Sequence, residues 1–219
     1  MRIACVGYRD WALNIYDKLQ NEFPSYIFLM QLSKSDFSET QIEQFKPDLI
    51  LFYGWSDIIS SKLIESGKCL MLHPSPLPKY RGGSPLQNQI IEGETNSAVT
   101  IFLMDKGIDT GPIAQQKYLS LNGKLKDIFQ RIEIIGFELT RDIFIHGLNI
   151  NDQDHNAATV FRRRLPEESE ITIEELKTKP AEYLYNKIRM LQDPYPNPFI
   201  KTVDGGKLII KECHFDVDG

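Results

Sequence analysis

The chain has 219 residues, 42% of them apolar and 25% charged, with a formal net charge of -5. That length and balance suit one good-sized globular domain, or one domain with a short appendage, able to bury a core without disulfides or metal. The acidic balance argues against a nucleic-acid binder, whose face is usually basic, although Arg162, Arg163 and Arg164 form a local basic patch.

Arg2 to Val6 reads as a short apolar strand ending at Gly7, too short for the core of a signal peptide. Helical spacing follows from about Asp10 to Glu22, with Trp11, Ile15 and Leu19 on one face. Tyr26 to Leu32 predicts a second strand. Glu39 to Phe45 predicts a short helix stopped before Pro47. Asp48 to Tyr53 is a continuous apolar strand closed by Gly54, Ser60 to Ser66 a helix, and Lys68 to Leu72 a further strand. Strands that are apolar throughout and alternate with helices indicate a parallel sheet covered on both faces. This part reads as a doubly wound α/β unit with a mostly parallel sheet. Its first βα turn holds only Gly7 and no GxGxxG, which gives no support to a dinucleotide cofactor.

Further on, Ser97 to Met104 predicts a strand and Lys124 to His146 a long helix. The polar segment Asn149 to Asn156 then divides an α/β domain, 1–150, from a C-terminal extension, 151–219. The extension holds Arg162 to Ile171, a helix near Ile173 to Leu191, a Pro-rich turn, and a hairpin. The hairpin reading rests on the Asp204-Gly205-Gly206 turn between Phe199–Val203 and Lys207–Ile210. Cys5, Cys69 and Cys213 lack metal spacing and read as free thiols in a reducing compartment. No run approaches the ~18 apolar residues of a membrane helix. The protein is expected to be cytoplasmic and not membrane-bound.

Open α/β sheets bind ligands beyond the carboxyl ends of their strands, and three strand ends here carry unusual residues. Tyr53-Gly54-Trp55-Ser56 ends one. His73, with Pro74 to Gly83 after it, ends the next. Asp105-Lys106-Gly107-Ile108-Asp109-Thr110-Gly111-Pro112 ends the third. Each alone has a plain structural explanation, since a lone histidine is commonly packed and Asp and Gly favour turns. The combination, in its order and spacing, carries the signal.

The stretch Leu72-His73-Pro74-Ser75-Pro76-Leu77-Pro78-Lys79-Tyr80-Arg81-Gly82, followed by Gly107-Ile108-Asp109-Thr110-Gly111-Pro112-Ile113, resembles the folate-dependent formyltransferase family. Downstream, Arg163-Arg164-Leu165-Pro166-Glu167-Glu168-Ser169-Glu170-Ile171 is similar to the RRxPxxSxI stretch of sugar N-formyltransferases. Asn186-Lys187-Ile188-Arg189 and Asp193-Pro194-Tyr195-Pro196-Asn197-Pro198-Phe199 resemble their later turn.

The resemblance implies a Rossmann-like fold and N10-formyltetrahydrofolate as formyl donor, with no metal. The implied acceptor is the amine of a nucleotide-linked amino dideoxy sugar, for surface polysaccharide, lipopolysaccharide or glycan synthesis. His73 would be the base and electrostatic stabiliser, and Asp109 would orient it and relay the proton. Tyr53, Gly54, Trp55, Ser56, Asp105, Gly107 and Asp109 would line the pterin slot, mainly through backbone groups. Lys79 and Arg81 would either shape the loop under the sugar or meet phosphate. Arg163 and Arg164 would either hold the diphosphate, for which a guanidinium fork is suited, or form a solvated turn. In this kind of enzyme the C-terminal hairpin is compatible with a homodimer.

One position departs from the family, which commonly has Asn-x-His where this chain has Met71-Leu72-His73. Residues two apart on a strand share a face, and methionine cannot donate the hydrogen bond of a carboxamide. A backbone N–H or Asn88 is expected to take over, failing which the enzyme is slow or a catalytically weak folate-binding module. A methionyl-tRNA formyltransferase shares the motifs but would need a second domain and a basic path for tRNA. A glycinamide ribonucleotide formyltransferase fits the length but not the C-terminal segments, and a carrier-bound amino acid is a further acceptor on this fold.

Overall fold

The apolar strands of the first half lie side by side in a computed structural model that describes residues 1–216. β1 (Arg2–Val6), β2 (Ile27–Gln31), β3 (Leu49–Tyr53) and β4 (Cys69–His73) run parallel in the order β2-β1-β3-β4. A strand covered on both faces needs apolar residues at every position. That is why Ile3 to Val6 and Ile50 to Tyr53 are unbroken runs, each residue essentially inaccessible.

Side chains alternate between the two faces. Ile3, Cys5, Leu51, Tyr53, Leu70 and Leu72 share one core with α1 (Asp10–Glu22) and α5 (Leu125–His146). Ala4, Val6, Ile50, Phe52 and Cys69 share the other with α2 (Glu39–Phe45) and α3 (Ser61–Ile64). Tyr16 of α1 fastens the first layer at the strand ends. Its hydroxyl lies 2.9 Å from the carbonyls of Val6 and Leu51 and accepts the Tyr53 N–H at 2.9 Å. Among the described residues no helix is long and apolar enough to cross a membrane.

The second half reverses the sheet. A two-residue strand β5 (Arg81–Gly82) and helix α4 (Pro85–Ile91) follow β4, then β6 (Asn96–Leu103) pairs with β4 antiparallel and β7 (Ile113–Ser120) with β6 antiparallel. Neither α4 nor β7 was expected from the sequence. Gln87, Asn88 and Gln89 are buried polar residues that mask the helical pattern. The polar run Gln115-Gln116-Lys117 hides β7, an edge strand exposed along Gln116–Tyr118.

The C-terminal section is sewn onto the domain. β8 (Val160–Phe161) pairs parallel with β5, Asn151 bridges to Ile113, and Met190 and Leu191 enter the α1/α5 core. The single helix expected over Ile173 to Leu191 is two, α6 (Ile173–Thr178) and α7 (Ala181–Arg189). Pro180 separates them, because the residue before a proline is driven to extended backbone and Lys179 is at φ -97°, ψ 143°. The hairpin is present as β9 (Phe199–Lys201) and β10 (Lys207–Ile209).

Candidate active site

His73 is the last residue of β4 and 5% exposed. Its Nε2 lies 2.9 Å from the Tyr80 carbonyl oxygen. A carbonyl only accepts, so Nε2 carries the hydrogen, and the neutral ring turns its lone pair outward from Nδ1. Nδ1 faces Asp109 Oδ2 at 3.5 Å. Two acceptors placed so close are complementary to a proton between them.

Tyr80 is held on several sides. Its N–H donates to Thr159 Oγ1 at 2.8 Å, its ring stacks on Phe161 at 5.1 Å, and its hydroxyl donates to Glu92 at 2.7 Å. Burial, and then the Glu92 and Glu94 carboxylates, push the phenol's pKa up, so it stays protonated. The Asp109 carboxylate accepts the Gly82 N–H at 2.7 Å. Gly82 sits at φ +90°, and a Cβ there would lie 2.2 Å from the Phe161 carbonyl oxygen. Only glycine fits where β5 meets β8.

The third motif reaches His73 by an unexpected route. β6 is antiparallel to β4, with His73 opposite Thr100 and Leu70 opposite Leu103. The chain leaving β6 therefore starts at the far end of β4, where the Met104 N–H donates to the Cys69 carbonyl at 2.8 Å. It must return about 13 Å along the strand to bring Asp109 to His73. Asp105 closes the base of this return, accepting Gly107 N–H at 2.9 Å and the Thr110 hydroxyl at 2.6 Å.

On the α2/α3 face, Tyr8, Phe37, Met71 and Met104 pack with Trp55 and its core. The Tyr8 and Phe37 rings lie 5.7 and 4.7 Å from the Trp55 ring. The indole N–H of Trp55 is buried and has no partner among the described residues. Ser56 bonds the Tyr8 hydroxyl through its own and accepts Arg163 Nη2 on its carbonyl at 3.3 Å. Met71 shares a face of β4 with Cys69 and His73 and is half-buried. Asn88 donates to the Gly83 carbonyl at 3.0 Å, so one hydrogen of its amide is committed to the loop.

The surroundings of three candidate residues are specific. The Tyr53 side chain points to the opposite face, fully buried with its hydroxyl 2.9 Å from Thr140, and its N–H is taken by Tyr16. Its ring is turned from the α2/α3 face, because side chains one residue apart on a strand face opposite ways. Arg81 is 4% exposed, with its guanidinium on Gln153 and His155, contacts that fit the loop-shaping alternative. Arg164 is turned onto the Glu168 carbonyl at 3.1 Å, and Arg162 pairs with the Glu168 carboxylate at 2.8 Å. Arg163 alone of the triplet reaches the site, while Lys79 is exposed on the loop below. Sequence reading also missed Gln153, which lies in the polar segment taken for a separator.

The sequence profile described as formyl transferase matches residues 28–131. A methionyl-tRNA formyltransferase of Campylobacter curvus is 31% identical over 186 residues, covering 84% of this chain and 60% of that protein. The chain thus spans 51% to 60% of the length of such curated relatives. The solved structure of a methionyl-tRNA formyltransferase from Clostridium thermocellum superposes with a TM-score of 0.86 at 31% identity, covering 96% of this chain and 97% of that one. A sugar N-formyltransferase from Shewanella sp. shares the fold, with a TM-score of 0.77 at 16% identity over 100% of this chain and 99% of its own. With a methionyl-tRNA formyltransferase 31% identical matched over 96% of this chain and 97% of its own, and the family's two motifs meeting at His73 and Asp109, this chain belongs to the folate-dependent formyltransferase family.

Proposed function

We propose that this chain transfers the formyl group of N10-formyltetrahydrofolate to a primary amine, with His73 as base and Asp109 as the carboxylate that steadies it. The observation that carries this is the buried His73, fixed by the Tyr80 carbonyl at Nε2 and turned toward Asp109 at 3.5 Å. The attacking amine loses its proton to Nδ1. The imidazolium so formed lies between two acceptors, the Tyr80 carbonyl and the Asp109 carboxylate, and is favoured by both. Its charge also stabilises negative charge developing on the formyl oxygen.

The donor supplies an activated one-carbon group and a nitrogen that takes up the returned proton. Tyr8, Phe37, Trp55, Met71 and Met104 offer the aromatic and apolar surface that a flat pterin requires. The unpartnered Trp55 N–H is a buried donor suited to its hydrogen-bonding edge. The backbone of Gly54 to Ser56 and of Asp105, Gly107 and Asp109 would bound this slot.

For the acceptor, the relatives matched at 31% identity support methionyl-tRNA. A nucleotide-linked amino dideoxy sugar is the second reading, and Arg163 favours it. Glu168 engages both Arg162 and Arg164, which leaves Arg163 as one fork at the lip of the site rather than a basic path for a nucleic-acid backbone. We place the reaction in the cytoplasm. The test is incubation with N10-formyltetrahydrofolate and, separately, methionyl-tRNA or nucleotide-linked 3-amino and 4-amino dideoxy sugars, read by mass spectrometry. A formylated product lost in His73→Ala and Asp109→Ala supports the mechanism and names the acceptor. Product formation that survives both substitutions overturns it.

A further inference from the structure

The residues that meet at the site come from loops far apart in sequence, and one buried carboxamide joins them. Gln153 is 5% exposed. Its Nε2 donates to the Asp109 carbonyl at 3.0 Å and to the Gly111 carbonyl at 2.6 Å. Its Oε1 accepts from Arg81 Nε at 3.1 Å and Nη2 at 2.6 Å. The amide orientation follows from the chemistry of its neighbours. A guanidinium only donates and carbonyls only accept, so the oxygen must face Arg81 and the nitrogen the two carbonyls.

We propose that Gln153 is a positioning residue that holds Asp109 against His73. This rests on the reading of His73 and Asp109 as the reacting pair. Arg81 follows Tyr80, whose carbonyl fixes His73, while Asp109 supplies the facing carboxylate. The carboxamide of Gln153 therefore spans from the loop that sets one partner to the loop that sets the other. Asp109 adopts φ 54°, a left-handed conformation that a non-glycine residue keeps only when its surroundings impose it. The Gln153 N–H on its carbonyl and the Gly82 N–H on its carboxylate are the restraints that impose it. An apolar side chain offers neither function, and a charged one offers only one of the two.

The inference is tested on the His73 ring itself, without any acceptor, by NMR titration of the full chain, with the signal assigned by its loss in His73→Ala. Asp109→Asn sets the scale, since removing the carboxylate withdraws support from the imidazolium and moves the His73 midpoint to lower pH. Gln153→Asn keeps both functions but is about 1.5 Å shorter, and it should lower the midpoint in the same direction by a substantial fraction of that shift. The pair Arg81→Met with Gln153→Leu leaves no buried charge unpaired and should do the same, which guards against misfolding of a single variant. A midpoint unchanged in both Gln153 variants, while Asp109→Asn moves it, overturns the role of Gln153 alone. A midpoint that Asp109→Asn leaves in place overturns the His73–Asp109 pairing on which it rests.

Discussion

Replacing Met71 by asparagine asks whether the corner beside His73 lacks a hydrogen-bond donor. Met71 shares the site face of β4 with His73 and is half-buried among the residues around Phe52 and Trp55. A carboxamide there would stand two residues from the base, where the family commonly carries one. A single donor aimed at a developing oxyanion lowers the barrier by about 3 kcal/mol, roughly 150-fold in rate. Full burial of a methionine side chain is worth about 1.5–3 kcal/mol, so a half-buried one forfeits about 1 kcal/mol. For a chain of this size that lowers Tm by about 2–4 °C. We expect kcat for amine formylation to rise roughly 10- to 150-fold, measured by product mass against N10-formyltetrahydrofolate, with melting curves on the same samples. An asparagine variant that melts as expected yet turns over no faster than the parent refutes the reasoning. The donor would then already be supplied, by a backbone N–H or the remaining hydrogen of Asn88.

Other substitutions probe the scaffold. A Cβ on Gly111 would lie 1.8 Å from the Leu103 carbonyl oxygen. Gly111→Ala should therefore cost about 1–3 kcal/mol in denaturant unfolding and, by moving Asp109 about 1 Å, roughly 100-fold in kcat. Burial pushes the Cys69 thiol up to about 12 and raises Cys5 further. Iodoacetamide at pH 8 should label Cys213, the more exposed thiol, in the native protein and reach the others only after unfolding, as peptide mapping would show. Burial alone would raise the Glu175 carboxyl, but the Lys187 ammonium at 2.8 Å and the Thr172 N–H outweigh it and hold it below its usual range. That stabilisation is present at neutral pH and is lost as pH falls through the depressed value. Lys187→Met should cost about 1–2 kcal/mol at pH 7, less than for a fully buried pair because Glu175 keeps access to water, and the deficit should shrink below about pH 4 in paired denaturant titrations.

The first half of the chain was legible because its strands are buried on both faces. Runs such as Leu49 to Tyr53 cannot be mistaken for surface. The motifs around His73 and Asp109 were legible as chemistry, yet their geometry was not. The rule that sites gather at strand carboxyl ends serves β3 and β4, whereas β6 runs the other way and its loop must fold back. Arg81 and Gln153 illustrate the remaining gap. A buried arginine paired to a carboxamide 72 residues away leaves no local signature, since composition marks both residues as solvent-facing. At Tyr53 the one-residue alternation of a strand turns the ring to the other layer, a direction the motif alone does not give.

The pairing of β5 with β8 bears on how the chain is made. On a ribosome, His73 and Asp109 emerge long before Thr159 and Phe161, on which Tyr80 leans through its N–H and ring. A nascent chain stopped at residue 150 would display both signature motifs and the whole six-stranded sheet. It would still lack every side chain that clamps Tyr80 and Asp109 from the C-terminal side. The order of synthesis thus separates having the reactive groups from having them aligned, and only translation past Phe161 brings the second condition.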